Sequence, residues 1–198
     1  MADTHTALAA LIGSRICHDL ISPIGAINNG LELLSMSGDA SGPEIGLIGE
    51  SVGNAAARIR FFRIAFGAAG DQMVGTAEVQ SILRDLYETG RLQVTWGIGE
   101  PVQRADVRMA FLALMCAEAA FPYGGKLNLT HVENTWHLFG KADRINLDPE
   151  LWRMLSTGST GENVPPSQVQ FALLPLFAGE RGRTIKVKSD TTSLDMSY

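Results

Sequence analysis

Residues 8 to 66 carry two apolar rhythms separated by one turn, and few folds accept that pattern. In the first, Leu8, Ile12, Ile16, Leu20, Ile24, Ile27, Leu31 and Leu34 recur at spacings of three and four, which on a helix makes one buried stripe. In the second, Ile45, Ile48, Val52, Ala55, Ile59, Phe62 and Phe66 alternate three and four, an a/d seam. Ser37-Gly38-Asp39-Ala40-Ser41-Gly42-Pro43 has the composition of a turn, and Pro43 suits the first position of the next helix. The first helix is expected from a cap at Thr4 or Thr6 to about Met36. A bend is expected near Pro23, which removes a backbone donor and crowds the carbonyl of Asp19. Gly67 suits the end of the second helix. Two long amphipathic helices with a short link predict an antiparallel hairpin. A hairpin alone cannot cover both stripes. Pairing with a second copy into a four-helix bundle is the simplest solution, and packing only on the rest of the chain is the alternative.

One residue stands off the stripe. His18 lies two positions from both Ile16 and Leu20, about 200° round a helix that turns ~100° per residue. An exposed histidine on a rigid helix, followed at once by Asp19, is a candidate for chemistry. Folding the hairpin at its turn brings Arg60 and Arg63 level with His18, each one residue past a seam position. They can attract a phosphate or an acidic partner there, or stand as solvated face residues.

Beyond Gly70 the pattern changes to short strands and helices. A helix opening at Thr76 as its cap runs to about Thr89, and Leu92–Ile98 alternates as a strand. Asp106 can cap a strongly apolar helix to Phe121, and Leu127–Val132 with Thr135–Phe139 forms a hairpin across Glu133-Asn134. Asp148-Pro149 starts a short helix, Gly158–Pro166 is a loop, and Ser167–Ala178 is helical despite Pro175. Thr184–Lys188 is a last strand, and the final nine residues or so read as a frayed tail. The fold class is therefore α+β: residues 1–70 a helical hairpin, residues 71–198 a two-layer α/β sandwich.

A net charge of -5 argues against nucleic acid as a partner. Cys17 and Cys116 form no ligand or CxxC pattern, which suits a reduced, cytoplasmic setting. No uninterrupted apolar run of ~18 residues and no signal-peptide pattern is present, so no membrane span is expected. His5, His131 and His137 lack ligand spacing, and no carboxylate cluster able to hold a metal stands out.

His18-Asp19-Leu20-Ile21-Ser22-Pro23 resembles the H-box of two-component signalling proteins, in which the histidine carries the phosphoryl group. The longer runs CHDLISPIGAINNGLELL and ARIRFFRIAFGAA resemble the ChpT-type histidine phosphotransferases of alphaproteobacteria. The resemblance covers the whole chain. It implies a dimerising hairpin followed by a degenerate Bergerat-type sandwich, the ATP-binding fold of histidine kinases. A working kinase domain carries an Asn-rich helix for Mg²⁺ and an Asp-x-Gly-x-Gly segment for adenine. Here the corresponding helix reads AFLALMCAEAAF, without Asn, and Asp143 is followed by arginine. Gly158-Ser159-Thr160-Gly161 is a weak candidate for the Gly-rich lid, since such a run is more often just a loop. ATP binding is therefore expected to be lost, with no cofactor of its own.

The implied reaction moves a phosphoryl group from a receiver aspartyl phosphate to His18 and on to a second aspartate, with Mg²⁺ supplied by the receiver. The implied partners are the receiver of a hybrid histidine kinase and response regulators of the cell cycle, of the CtrA and CpdR kind. Asp19 either fixes the tautomer of His18 or faces partner and solvent. Ser22, one turn on, either positions the phosphoryl group or bonds back to the carbonyl of His18. Leu11, Ile21 and Gly25 lie near the same face and would suit docking of a receiver helix. The rival readings are an ATP-dependent autokinase and a non-catalytic dimeric adaptor for receivers.

Overall fold

The computed structural model describes residues 2–37, 43–68, 70–158 and 164–198. Two helices open the chain, α1 (Ala2–Ser37) and α2 (Pro43–Ala65), and they pack along one another. Gly30 lies against Ile48 and Asp19 against Arg58, so residue numbers fall on one helix as they rise on the other: the hairpin is antiparallel. Pro43 opens α2 as anticipated, while the turn read over residues 38–42 lies outside the described residues. Thr4 and Thr6 are inside α1 rather than at its cap, because the helix already begins at Ala2. The helix also continues through Pro23, whose ring is buried.

The stripe of α1 is divided between two environments. Leu8 is buried, and Leu11, Ile12 and Ile16 pack partly buried on the core, whereas Ile24 and Leu31 are about half exposed. The seam of α2 divides likewise. Ile45, Val52 and Ile59, spaced by heptads, are exposed, while Ala55, Ala57, Phe61, Phe62, Ile64 and Ala65 are buried. The cause is one-sided covering: the α/β layer reaches only one end and one flank of the hairpin. The stretch Thr6–Met36 is long and apolar enough to cross a membrane by length and mean hydropathy. Arg15, His18 and Asp19 interrupt its apolar residues, so it holds no uninterrupted apolar run of ~18 residues.

The second layer runs β1 (Met73–Val74), α3 (Thr76–Tyr87), β2 (Leu92–Trp96), β3 (Val102–Gln103), α4 (Arg104–Ala120), β4 (Gly125–Val132), β5 (Thr135–Lys141), α5 (Pro149–Thr157), a 3-10 turn (Pro166–Gln168), α6 (Gln170–Glu180), β6 (Lys186–Ser189) and β7 (Ser193–Ser197). Five strands form one sheet in the order β2-β4-β5-β7-β6, with β2 parallel to β4 and the other pairs antiparallel. β1 and β3 make a separate two-stranded ribbon. Leu127, Leu129, Trp136, Leu138, Leu194 and Met196 bury the face under the helices, while Lys126, Asn128, Phe139 and Asp195 stand on the open face. That alternation is a half-buried sheet, and it yields the two layers expected. α4 is buried almost all round because it lies among the sheet, α2 and α6. The core is continuous from α2 through α4 to the sheet, across residue 70.

Three local expectations need correction. The final residues are not a frayed tail: β7 lies between β5 and β6, and Tyr198 exchanges both backbone bonds with Trp136. Asp190 sets that return. Its carboxylate accepts from Thr192 and Ser193, through backbone and hydroxyl groups, and these bonds pull its pKa down to about 2. Thr76 is not the cap of α3, which is Gly75; its hydroxyl donates instead to the carbonyls of Ile98 and Glu100. Asp106 lies inside the first turn of α4 and pairs with Arg181 and Arg183, tying α4 to the segment after α6. The hairpin turn is as read: Glu133 (φ 50°) and Asn134 (φ 64°) both take the left-handed conformation that a two-residue β-turn requires.

Asp148 does cap α5, accepting from the amides of Glu150 and Leu151. Asp148→Ala should lower unfolding free energy by about 1 kcal/mol in urea titration, the usual worth of an N-cap. A variant indistinguishable from the parent would show that α5 does not depend on its cap.

Candidate functional site

His18 stands on the outer face of α1 with its side chain 77% exposed, beside an Asp19 whose side chain is only 9% exposed. Their contrast follows from the ~100° step between helical neighbours: the histidine points to solvent and the acid points down between the helices. They meet nonetheless. His18 Nδ1 is 3.0 Å from Asp19 Oδ1. A carboxylate only accepts, so the shared proton sits on Nδ1 and leaves the Nε2 lone pair directed outward.

Asp19 is held from below. Arg15, one turn earlier on α1, donates from Nε to Oδ2 at 2.8 Å. Arg58 of α2 approaches the same oxygen at 3.7 Å, and its own Nε is steadied by Asn54 at 3.0 Å. The two arginines occupy one oxygen and the histidine the other. Arg15 also donates to the carbonyl of Ser167, so the 3-10 turn of the second layer reaches this site.

Beneath the ion pair is a small crevice lined by Arg15, Asp19, Arg58, Phe62, Tyr87 and Glu118 among others. The Tyr87 hydroxyl and the Glu118 carboxyl are hydrogen-bonded there. Burial pushes the Tyr87 hydroxyl well up, with Glu118 adding to the effect, so the phenol is the donor. Glu118 keeps part of its surface open to solvent, yet crowding by protein raises its carboxyl pKa, against the opposing pull of Arg58 and Arg15.

The other residues singled out in the sequence fall in different places. Ser22 and Ile21 are exposed, Ile21 at 69%. Gly25 is half-buried with open space where a Cβ would stand. Leu11 is not on the docking face: it packs against the core, leaving Ile21 and Gly25 without it. Arg60 and Arg63 reach the level of His18 but not its side. Arg60 pairs with Asp85 at 2.5 Å and Arg63 approaches Glu78 at 4.0 Å, both on α3. The difference is angular, since Arg60 lies about 200° round α2 from Arg58. The pair Arg15–Asp19 was legible as an i,i+4 ion pair. Arg58 needed the hairpin register, and Tyr87 and Glu118 needed the packing of α3 and α4.

α4 is apolar and buried along most of its length, and among the described residues no group of three or more His, Cys, Asp or Glu side chains converges. Gly158 closes α5 with φ +65°, while Ser159, Thr160 and Gly161 lie outside the described residues.

The histidine phosphotransferase C-terminal domain family matches residues 76–193. The protein phosphotransferase ChpT of Brucella abortus (strain 2308) is 32% identical over 197 residues, 96% of this chain and 94% of that protein. A solved structure described as a bacterial phosphotransferase superposes with a TM-score of 0.81 at 33% identity, covering 97% of this chain and 95% of that one. Extending across the hairpin and the α/β layer together, these matches place the chain in the ChpT-type histidine phosphotransferase family.

Proposed function

We propose that this protein is the histidine phosphotransferase of a two-component phosphorelay, with His18 as the residue that carries the phosphoryl group. The observation behind this reading is the pairing of His18 Nδ1 with a clamped Asp19, which leaves Nε2 free on the protein surface. The Nε2 lone pair attacks phosphorus of a receiver aspartyl phosphate. The P–O bond to the aspartate breaks, and the aspartate leaves as a carboxylate. The ring gains positive charge as the new N–P bond forms, and Asp19 stabilises that charge through Nδ1–H. The second transfer reverses these steps onto another aspartate. Ser22 is an exposed hydroxyl one turn on from His18 on the same helical face and is available to the phosphoryl oxygens; the back-bond to the His18 carbonyl is absent among the described residues. Transfer of this kind is mostly positioning and charge neutralisation. Mg²⁺ belongs to the receiver in this scheme, and ATP has no role.

That chemistry calls for receiver domains as donor and acceptors, with Ile21 and Gly25 as part of the surface they meet, and the resemblance implies that the donor is the receiver of a hybrid kinase. The resemblance extends the proposal to cell-cycle regulators of the CtrA and CpdR kind and to a cytoplasmic setting. The protein acts as a homodimer in this reading. Support comes from Ile24 and Leu31 on α1 and Ile45, Val52 and Ile59 on α2, all exposed and at helix-pairing spacing. Val52→Asp with Ile59→Asp should convert a dimer to a monomer in sedimentation equilibrium; a species of unchanged mass would place the interface elsewhere.

The functional test is a relay in solution. Labelled phosphoreceiver, this protein and a second receiver should give label on the second receiver only when all three are present. Labelling of the protein by ATP alone would make it an autokinase and overturn the proposal.

A further inference from the structure

The crevice under His18 holds more charge than the reaction scheme uses. Four ionisable side chains from three helices meet there: Arg15 and Asp19 of α1, Arg58 of α2 and Glu118 of α4, with Tyr87 of α3 bonded to Glu118. Two cations face two carboxylates. Arg15 bonds Asp19 at 2.8 Å, whereas Arg58 stands off from Asp19 Oδ2 at 3.7 Å, and Glu118 lines the same crevice and attracts both arginines. Asp19 thus shares its counter-cations with a second acid, and its Oδ1 remains the acceptor for the proton on His18 Nδ1. Charge on a carboxylate that both arginines neutralised fully would attract the imidazole N–H less.

We infer that Glu118 is a positioning residue for phosphotransfer, which shares Arg58 and Arg15 with Asp19 and so sets how strongly Asp19 holds the Nδ1–H tautomer of His18. Tyr87 fixes Glu118 for this task by donating to its carboxyl. The α/β layer thus contributes to the chemistry of a histidine on another element, through Glu118 and through the Ser167 carbonyl that Arg15 binds. The inference rests on the proposal that His18 is the phosphoryl carrier, but its structural half can be read without any transfer.

The test uses the full chain with Glu118→Gln, which keeps size and hydrogen-bonding capacity and removes the charge, and Tyr87→Phe as a second variant. Nitrogen-15 NMR of the His18 ring reads the tautomer directly. Glu118→Gln should lower the share of the Nδ1–H form and slow receiver-to-protein transfer by about 5-fold, a modest positioning effect on the scale where tenfold is ~1.4 kcal/mol. Tyr87→Phe should act in the same direction and less. In an Asp19→Asn background the added effect of Glu118→Gln should shrink to under about 2-fold, since coupled residues fail to add. An unchanged tautomer share in Glu118→Gln, or an equal loss of rate with and without Asp19, overturns the inference. A normal tautomer response in a protein that never accepts phosphate would instead sink the proposed function and leave the positioning role standing.

Discussion

Replacing His18 with glutamine abolishes phosphoryl uptake: label in the protein falls to that of a control without donor. Glutamine keeps a polar side chain of similar length without the imidazole, so the nucleophilic ring lone pair is lost. No neighbouring group substitutes for it. Ser22 is a poor nucleophile without a base, and Cys17 points elsewhere, since adjacent helical side chains diverge. The fold is untouched in this variant, because the His18 side chain is 77% exposed and its one bond is at the surface. Thermal unfolding should shift by no more than about 2 °C, as surface substitutions usually lie within ~0.5 kcal/mol. Uptake that survives in the variant would assign the phosphoryl group to another residue.

Replacing Phe61 with alanine has the largest effect expected on stability. Phe61 of α2 is 3% exposed and stacks on Phe111 of α4, with ring centroids 4.4 Å apart and planes 2° from parallel. Phe62 meets it edge-on at 6.1 Å. These rings join the hairpin to the α/β layer. Truncation leaves a cavity at a junction where α4 is packed on every side, so collapse around it is limited. The loss should be about 3–5 kcal/mol, read as a lower midpoint in urea titration. Phe61→Leu should recover more than half of it, since most of the volume returns. A loss below ~1 kcal/mol for Phe61→Ala would show that the two layers are held together elsewhere. Phe61 and Phe62 also line the crevice below Asp19, so the alanine variant should transfer phosphate more slowly even when folded.

Much of the architecture is legible in the sequence. Heptad spacing placed α2, and the three-and-four recurrence placed α1, because both patterns record which side of a helix leaves water. Spacing does not say what covers that side. Leu11 and Ile16 are covered by the chain's own core while Ile24 and Leu31 are not, and no feature of the sequence separates the two groups. Ser193–Ser197 is illegible as a strand for a related reason. Its alternation is only five residues long, and what makes it a central strand is non-local pairing with Thr135–Lys141 and Lys186–Ser189. At the site, the sequence supplied His18 and Asp19 and the possibility of their contact. Between the two readings open for Arg60 and Arg63, the sequence could not decide: they share a level with His18 but turn toward Asp85 and Glu78. Arg58, two residues away, carries the contact. Level follows from chain length, whereas direction depends on the rotation of a helix about its axis, which packing sets.

The central claim is that Asp19 holds the proton on Nδ1, so that Nε2 of His18 takes the phosphoryl group. Phosphorus-31 NMR of the protein loaded from a phosphoreceiver, with nitrogen-15 in the histidine ring, reads this directly. The account predicts one acid-labile, base-stable signal coupled to Nε2 of His18. Coupling to Nδ1, or a base-labile signal without nitrogen coupling, would contradict it.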